Sequence, residues 1–189
     1  MLINRVNELG QQCPYDMLEM LKCEREAKRL LEIEEFSATS ASVLGMLAAI
    51  RDDLRDLVKW HELAIQISGG YYLSFDHYAT SLFCVFEYER ALEAAKIAFE
   101  KAGLRRSLDT MIRSADALGD DELALQYVVE WRRVFGEDYP ELTIFDEDDL
   151  ATVLRDREND IDSKEDFLSE KDFDIEGMRQ LAEEIRSSR

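Results

Sequence analysis

Two histidines, three cysteines and a run of alternating carboxylates are the side chains of this 189-residue chain best suited to chemistry. His61 and His77 belong to no HExxH pair and no His/Cys cluster, so they do not spell a zinc site. A nucleophilic serine or cysteine would need one of these histidines as base and an acid to orient it, and no GxSxG-type elbow is present. His61 falls among positions expected to pack between helices. Cys13, Cys23 and Cys84 are odd in number and lack CxxC spacing, which predicts reduced thiols and not a disulfide framework. Asp156, Glu158, Asp160 and Asp162 alternate as calcium ligands do. An EF-hand loop starting at Asp156 would place Ile161 where a glycine is required and Phe167 where a bidentate glutamate is required. A solvated charge run is expected there. Gly69 and Gly70 have neither the lysine nor the further glycines of a phosphate loop. The expectation is a protein with no catalytic residue, no metal and no cofactor.

Charge narrows the partners. The chain carries 42 Asp and Glu against 23 Lys and Arg, a net charge of −19. Such a surface repels phosphate backbones and anionic lipid, so direct nucleic-acid and membrane binding are disfavoured. The first residues, Met1-Leu2-Ile3-Asn4-Arg5-Val6, lack the basic, apolar and small-residue order of a secretory signal. The longest apolar stretch, residues 43–50, is far shorter than the roughly 20 residues of a membrane span. These features predict a cytoplasmic protein.

Positions are held by elements, and here the elements read as helices. Apolar residues make up 46% of the chain and charged residues 34%, with only 2 Pro and 8 Gly, which points to an all-α protein. Residues 14–36 carry an apolar stripe at Met17, Leu18, Leu21, Ala27, Leu30, Leu31 and Ile33. Ser37, Thr39, Ser40 and Ser42 are expected to end that helix and cap the next.

The middle of the chain repeats. Shifted by 34, Gly45, Ala48, Leu54, Ala64 and Gly69 fall on Ala79, Leu82, Tyr88, Ala98 and Gly103. A further shift of 33 carries Ala79, Leu82, Ala91, Ala98 and Gly103 onto Ile112, Ala115, Ala124, Trp131 and Gly136. Each unit reads as two helices joined by a short turn: 40–52 with 55–68, 74–86 with 89–102, and 105–118 with 122–135. Gly119 is suited to a left-handed helix terminus and Asp120 or Asp121 to capping the helix after it. Small residues such as Gly45, Ala48, Ala79, Ala91 and Ala115 are expected where paired backbones approach. Stacking neighbours would bury the apolar faces left over.

With Ala79, Leu82, Glu87-Tyr88-Glu89-Arg90-Ala91-Leu92, Ala98, Leu118-Gly119-Asp120 and Ala124 in register, the chain resembles a tetratricopeptide repeat protein over residues 38–138. That resemblance implies an array of antiparallel helical hairpins, a TPR-like α-solenoid. Residues 1–37 would be an N-terminal helical segment packed on the array. Residues 139–189 would be an acidic helical C-terminal appendage, with a short helix at 145–157, a linker, and a terminal amphipathic helix over Ile175, Met178, Leu181, Ala182 and Ile185. From Gly136 onward 19 acidic residues face 7 basic ones, so most of the negative charge belongs to this end.

In proteins that this array resembles, the first helix of each pair lines a groove that holds a peptide or partner helix. By register the groove would present Met46, Ile50, His77, Thr80, Phe83, Arg106, Thr110 and Arg113. Met46, Ile50 and Phe83 offer apolar anchors; His77, Arg106 and Arg113 offer donors to a carboxylate. Relatives that clamp chaperone C-termini use Lys and Asn, where Ser42, Met46 and His77 stand here, so another ligand is implied. Arg106 and Arg113 also have Asp109 and Asp116 at helical spacing. Two functions follow as expectations: a non-catalytic adaptor, chaperone or regulator binding a protein or peptide, or an acidic decoy occupying a basic nucleic-acid site on a partner protein.

Overall fold

The computed structural model describes residues 2–11 and 16–140. Cys13, Pro14, the expected helices at 145–157 and 174–185 and the carboxylate run from Asp156 lie outside the described residues. Within them the chain is all-helical, with no strand: α1 (Leu2–Gly10), α2 (Met17–Leu31), α3 (Glu34–Ile50), α4 (Leu54–Ile67), α5 (Tyr72–Cys84), α6 (Tyr88–Ala102), α7 (Arg105–Ala117) and α8 (Asp121–Phe135). All belong to one compact unit, Met1–Asp146. Among these helices none is long and apolar enough to cross a membrane.

Three turns share one local solution. After α3, α5 and α7 the chain takes a left-handed residue, Asp52 (φ 57°), Phe86 (φ 63°) and Gly119 (φ 74°). The amide of the next residue reaches back across the helix end: Asp53 N–H to Ala48 C=O at 2.9 Å, Glu87 to Leu82 at 3.0 Å, Asp120 to Ala115 at 3.0 Å. This satisfies carbonyls that the ending helix leaves without partners. The three turns are related by the same shifts of 34 and 33 that relate the sequence units. Asp53 and Asp120 then cap α4 and α8, accepting from the amides of Asp56 and Leu123. Helices joined by such turns pack as neighbours, α3 with α4, α5 with α6 and α7 with α8, while α3, α5 and α7 also touch in series. Gly103 and Gly136 close α6 and α8 in the left-handed region, as a C-terminal glycine does.

The N-terminal third differs from expectation. The helix predicted at 14–36 breaks at Glu32 and Ile33, and Ser37, Ser40 and Ser42 lie buried inside α3 instead of capping it. Ser37 Oγ donates to Glu34 C=O at 2.8 Å, so its hydroxyl is satisfied within the helix and its small side chain serves packing. Extended Ile33 precedes α3, and Glu34 and Glu35 occupy the first turn, where negative charge meets the positive end of the helix dipole. Ahead of α2, α1 is a separate short helix within the N-terminal helical segment. Its Val6 and Leu9 close a cluster with Met20, Cys23 and Ala27 of α2 and Val43, Leu44 and Leu47 of α3. Arg5 fastens it through Glu19 (Nε to Oε1, 3.0 Å) and Glu26 (2.8 Å).

At the other end Tyr139 is anchored against the last pair. Its ring meets Trp131 edge-on at 5.1 Å and its hydroxyl donates to Asp109 Oδ1 of α7 at 2.7 Å.

Candidate functional site

Six of the eight residues expected in the groove stand on α5 and α7, which pack against each other. Their roles are not equal. Arg106 donates from Nε to Oδ2 of Asp76 at 2.7 Å, and Ser107 Oγ donates to Oδ1 of the same carboxylate at 2.7 Å. Asp76 is 0% exposed, so it is a buried charge compensated by a half-exposed arginine. The two threonines bond to their own helices: Thr80 Oγ1 to Asp76 C=O and Thr110 Oγ1 to Arg106 C=O, each at 3.0 Å. Their hydroxyl protons are therefore committed and only their lone pairs remain for a ligand.

His77 is half-buried beside this network. Burial, reinforced by the Arg106 charge and opposed by Asp76, pushes its pKa down, so near neutral pH it is an uncharged ring that can donate one bond and accept one.

Arg113 is a second exposed cation of this face, 44% exposed beside 48% for Arg106. Its guanidinium carbon lies 5.3 Å from the Phe83 ring centroid, and Asp109 steadies it at 3.9 Å. Phe83 in turn lies 5.4 Å from Tyr88, and Tyr88 meets Phe86 edge-on at 6.1 Å. A continuous line thus runs from Arg113 through Phe83 and Tyr88 to Phe86, which is 74% exposed. Sequence reasoning missed Tyr88 and Phe86. The available signal was an aromatic at the turn position that Gly119 fills in the next unit.

Met46 and Ile50 are placed apart from this line. Both pack against the N-terminal cluster with Leu2, Ile3, Leu31 and Trp60, and Ile50 faces Gly10 of α1. Both therefore spend part of their surface on the chain's own N-terminal helices.

His61 is fully buried between helices. Its Nε2 lies 2.9 Å from Ser81 Oγ and its ring stacks on Tyr78 at 5.3 Å. Among the described residues Nδ1 has no hydrogen-bond partner, so no acid orients this ring there as in a nucleophile pair. Burial lowers its pKa to about 3, with a smaller push from His77, and the ring is neutral. Among the described residues no cluster of three or more His, Cys, Asp or Glu could hold a metal ion.

No protein-family model matches the chain, and no curated protein matches it.

Proposed function

We propose that this protein is a non-catalytic interaction module, a TPR-like array of antiparallel helical hairpins that holds a protein or peptide partner against α5 and α7. The observation that supports it most is the Arg113–Phe83–Tyr88–Phe86 line, a cationic and aromatic surface on a chain of net charge −19. The repeated turn at Asp52, Phe86 and Gly119 supports the hairpin register. A segment with one apolar or aromatic side chain flanked by carboxylates fits such a surface. The apolar group packs on Phe83 and Tyr88, and a carboxylate bonds to Arg113. Arg106 contributes less, because its Nε is engaged by Asp76. The His61–Ser81 pair, buried and without an acid, serves helix packing in this reading.

Selection from a random peptide display library on the immobilised full chain tests it. Enrichment of peptides pairing an apolar residue with Asp or Glu is expected, with at least about tenfold weaker recovery on Phe83→Ala and Arg113→Glu. Equal recovery on the wild type and both variants would remove the groove from consideration.

A further inference from the structure

The outward face of α2 is a second surface that the groove does not use. α2 buries Met20, Cys23 and Ala27 against α1 and α3. At 3.6 residues per turn, Met17, Leu18, Leu21, Arg25, Lys28 and Arg29 share the opposite arc. Met17 and Leu18 are each 59% exposed and Leu21 is 49% exposed, an apolar patch at the amino-terminal end of the helix. Basic residues follow it. Of the carboxylates of α2, Glu19 and Glu26 fall outside this arc and turn to Arg5, while Glu24 borders it and holds Arg51 at 2.7 Å as well as Lys28 at 2.6 Å. Arg25 donates to the Leu21 carbonyl of its own helix, and neither Arg25 nor Arg29 has a carboxylate partner among the described residues. Asp16 caps the helix through the Leu18 and Glu19 amides, both at 3.0 Å, so the face is a firm one.

We propose that this face docks an acidic amphipathic helix of a partner protein. The leucines of such a helix would cover Met17, Leu18 and Leu21, and its carboxylates would meet Arg25, Lys28 and Arg29. Charge decides among the possible occupants. A second copy would set Arg25 and Arg29 against their own like charges. An anionic membrane would attract these four cations of α2, Lys22 included, but it is an extended negative plane that also faces the rest of a chain of net charge −19, whereas a single helix can confine its carboxylates to the basic end of α2. An acidic amphipathic helix satisfies both the apolar patch and the unpaired guanidinium groups.

The test is fluorescence anisotropy on the full chain with a labelled synthetic peptide of about 18 residues, leucines on one face and glutamates on the other. Binding is expected to weaken at least about tenfold with Arg25→Glu/Arg29→Glu and with Leu18→Ala/Leu21→Ala. It should weaken as NaCl rises from about 50 to about 500 mM, and persist in Phe83→Ala/Arg113→Glu. The substituted side chains are exposed, and unchanged melting temperatures verify the fold. A peptide of the same composition with scrambled leucines should bind at least about tenfold more weakly. The proposal is overturned if the scrambled peptide binds equally, if the α2 variants bind unchanged or if no binding is detected. It is also overturned if only phosphatidylserine vesicles bind, or if the chain self-associates in sedimentation through Leu18 and Leu21. Loss of binding only in Phe83→Ala/Arg113→Glu would assign the peptide to the groove and also overturn it.

Discussion

Gly45 of α3 faces the imidazole of His61 in α4 so closely that a Cβ on Gly45 would fall 2.6 Å from Nε2 and 2.9 Å from Cγ. The first two helices of the repeated region therefore meet backbone against ring, and only the absence of a side chain permits it. The same ring bonds to Ser81 of α5, so one buried neutral histidine ties three helices together.

Gly45→Ala should destabilise the protein by about 1–3 kcal/mol through overpacking, despite a helix-propensity gain of up to about 1 kcal/mol. In a His61→Ala background the same substitution should become neutral or stabilising, because the methyl group then enters the space the ring has left. Urea unfolding of the four proteins of this double-mutant cycle measures the coupling. Additive effects would show that the two residues do not compete for space.

The all-helical character of residues 40–135 was legible in small and apolar residues at helical spacing, and the turn after α7 in Gly119 and the cap that follows it; left-handed Asp52 and Phe86 carried no such signal. The break at Glu32 and Ile33 was not legible. It contains neither Gly nor Pro, and the nearby serines carried a stronger capping signal than the extended Ile33 backbone. α1 had a readable signal, since Leu2, Val6 and Leu9 share a helical face. Within the site, register brought His77, Phe83 and Arg113 to adjacent helices. The Asp76–Arg106 bond was hidden, because Asp109 offered Arg106 a nearer partner in sequence while α5 supplied the one used in space. Phe86 was hidden for a different reason: its side chain matters at a position where backbone conformation alone would favour glycine.

Phe86 sits at φ 63° in the turn where the next unit has Gly119, and its side chain is 74% exposed. A bulky residue in the left-handed region costs about 1–2 kcal/mol, and glycine gives part of that back as unfolded-state entropy. Phe86→Gly is expected to stabilise the fold by up to about 1 kcal/mol and to weaken recovery of groove-binding peptides. Asp52→Gly at the equivalent turn should stabilise less, because aspartate tolerates this conformation better. Thermal melts and peptide display read both quantities; a destabilised Phe86→Gly would mean that its contact with Tyr88 outweighs the strain.

Burial of two histidines sets an acid-side stability slope. His61 is pushed from 6.5 to about 3 by burial and then by His77, and His77 is lowered by burial and Arg106 against Asp76. Unfolding returns both rings to ordinary pKa values, so below about pH 6.5 the unfolded chain binds more protons than the folded one. Both contributions are therefore present above about pH 6.5 and are lost as pH drops toward the folded values; for His61 the slope is about 1.4 kcal/mol per pH unit. For His61 this amounts to about 2 kcal/mol between pH 6.5 and pH 5. Glu19 and Glu24, lowered chiefly by hydrogen bonds from Arg5 and Lys28, act in the same direction nearer their ordinary 4.5. Glu100, raised by burial, acts oppositely. The difference between wild type and His61→Gln from about pH 5 to pH 6.5 isolates the ring. Its slope should drop by about one proton, and identical slopes would mean that the ring gains none on unfolding.

Asp76 and Arg106 should respond unequally to substitution. Arg106→Ala leaves a fully buried carboxylate with Ser107 as its remaining side-chain donor, and breaking a buried pair in that way costs about 3–5 kcal/mol. Asp76→Asn keeps an acceptor for Ser107 and removes the buried charge, while the half-exposed Arg106 can return its guanidinium to water. A cost of about 1–2 kcal/mol is expected there. Denaturant midpoints at about pH 7 give the order. An Asp76→Asn loss equal to or larger than that of Arg106→Ala would show that the arginine does not compensate the charge and is free to serve a ligand.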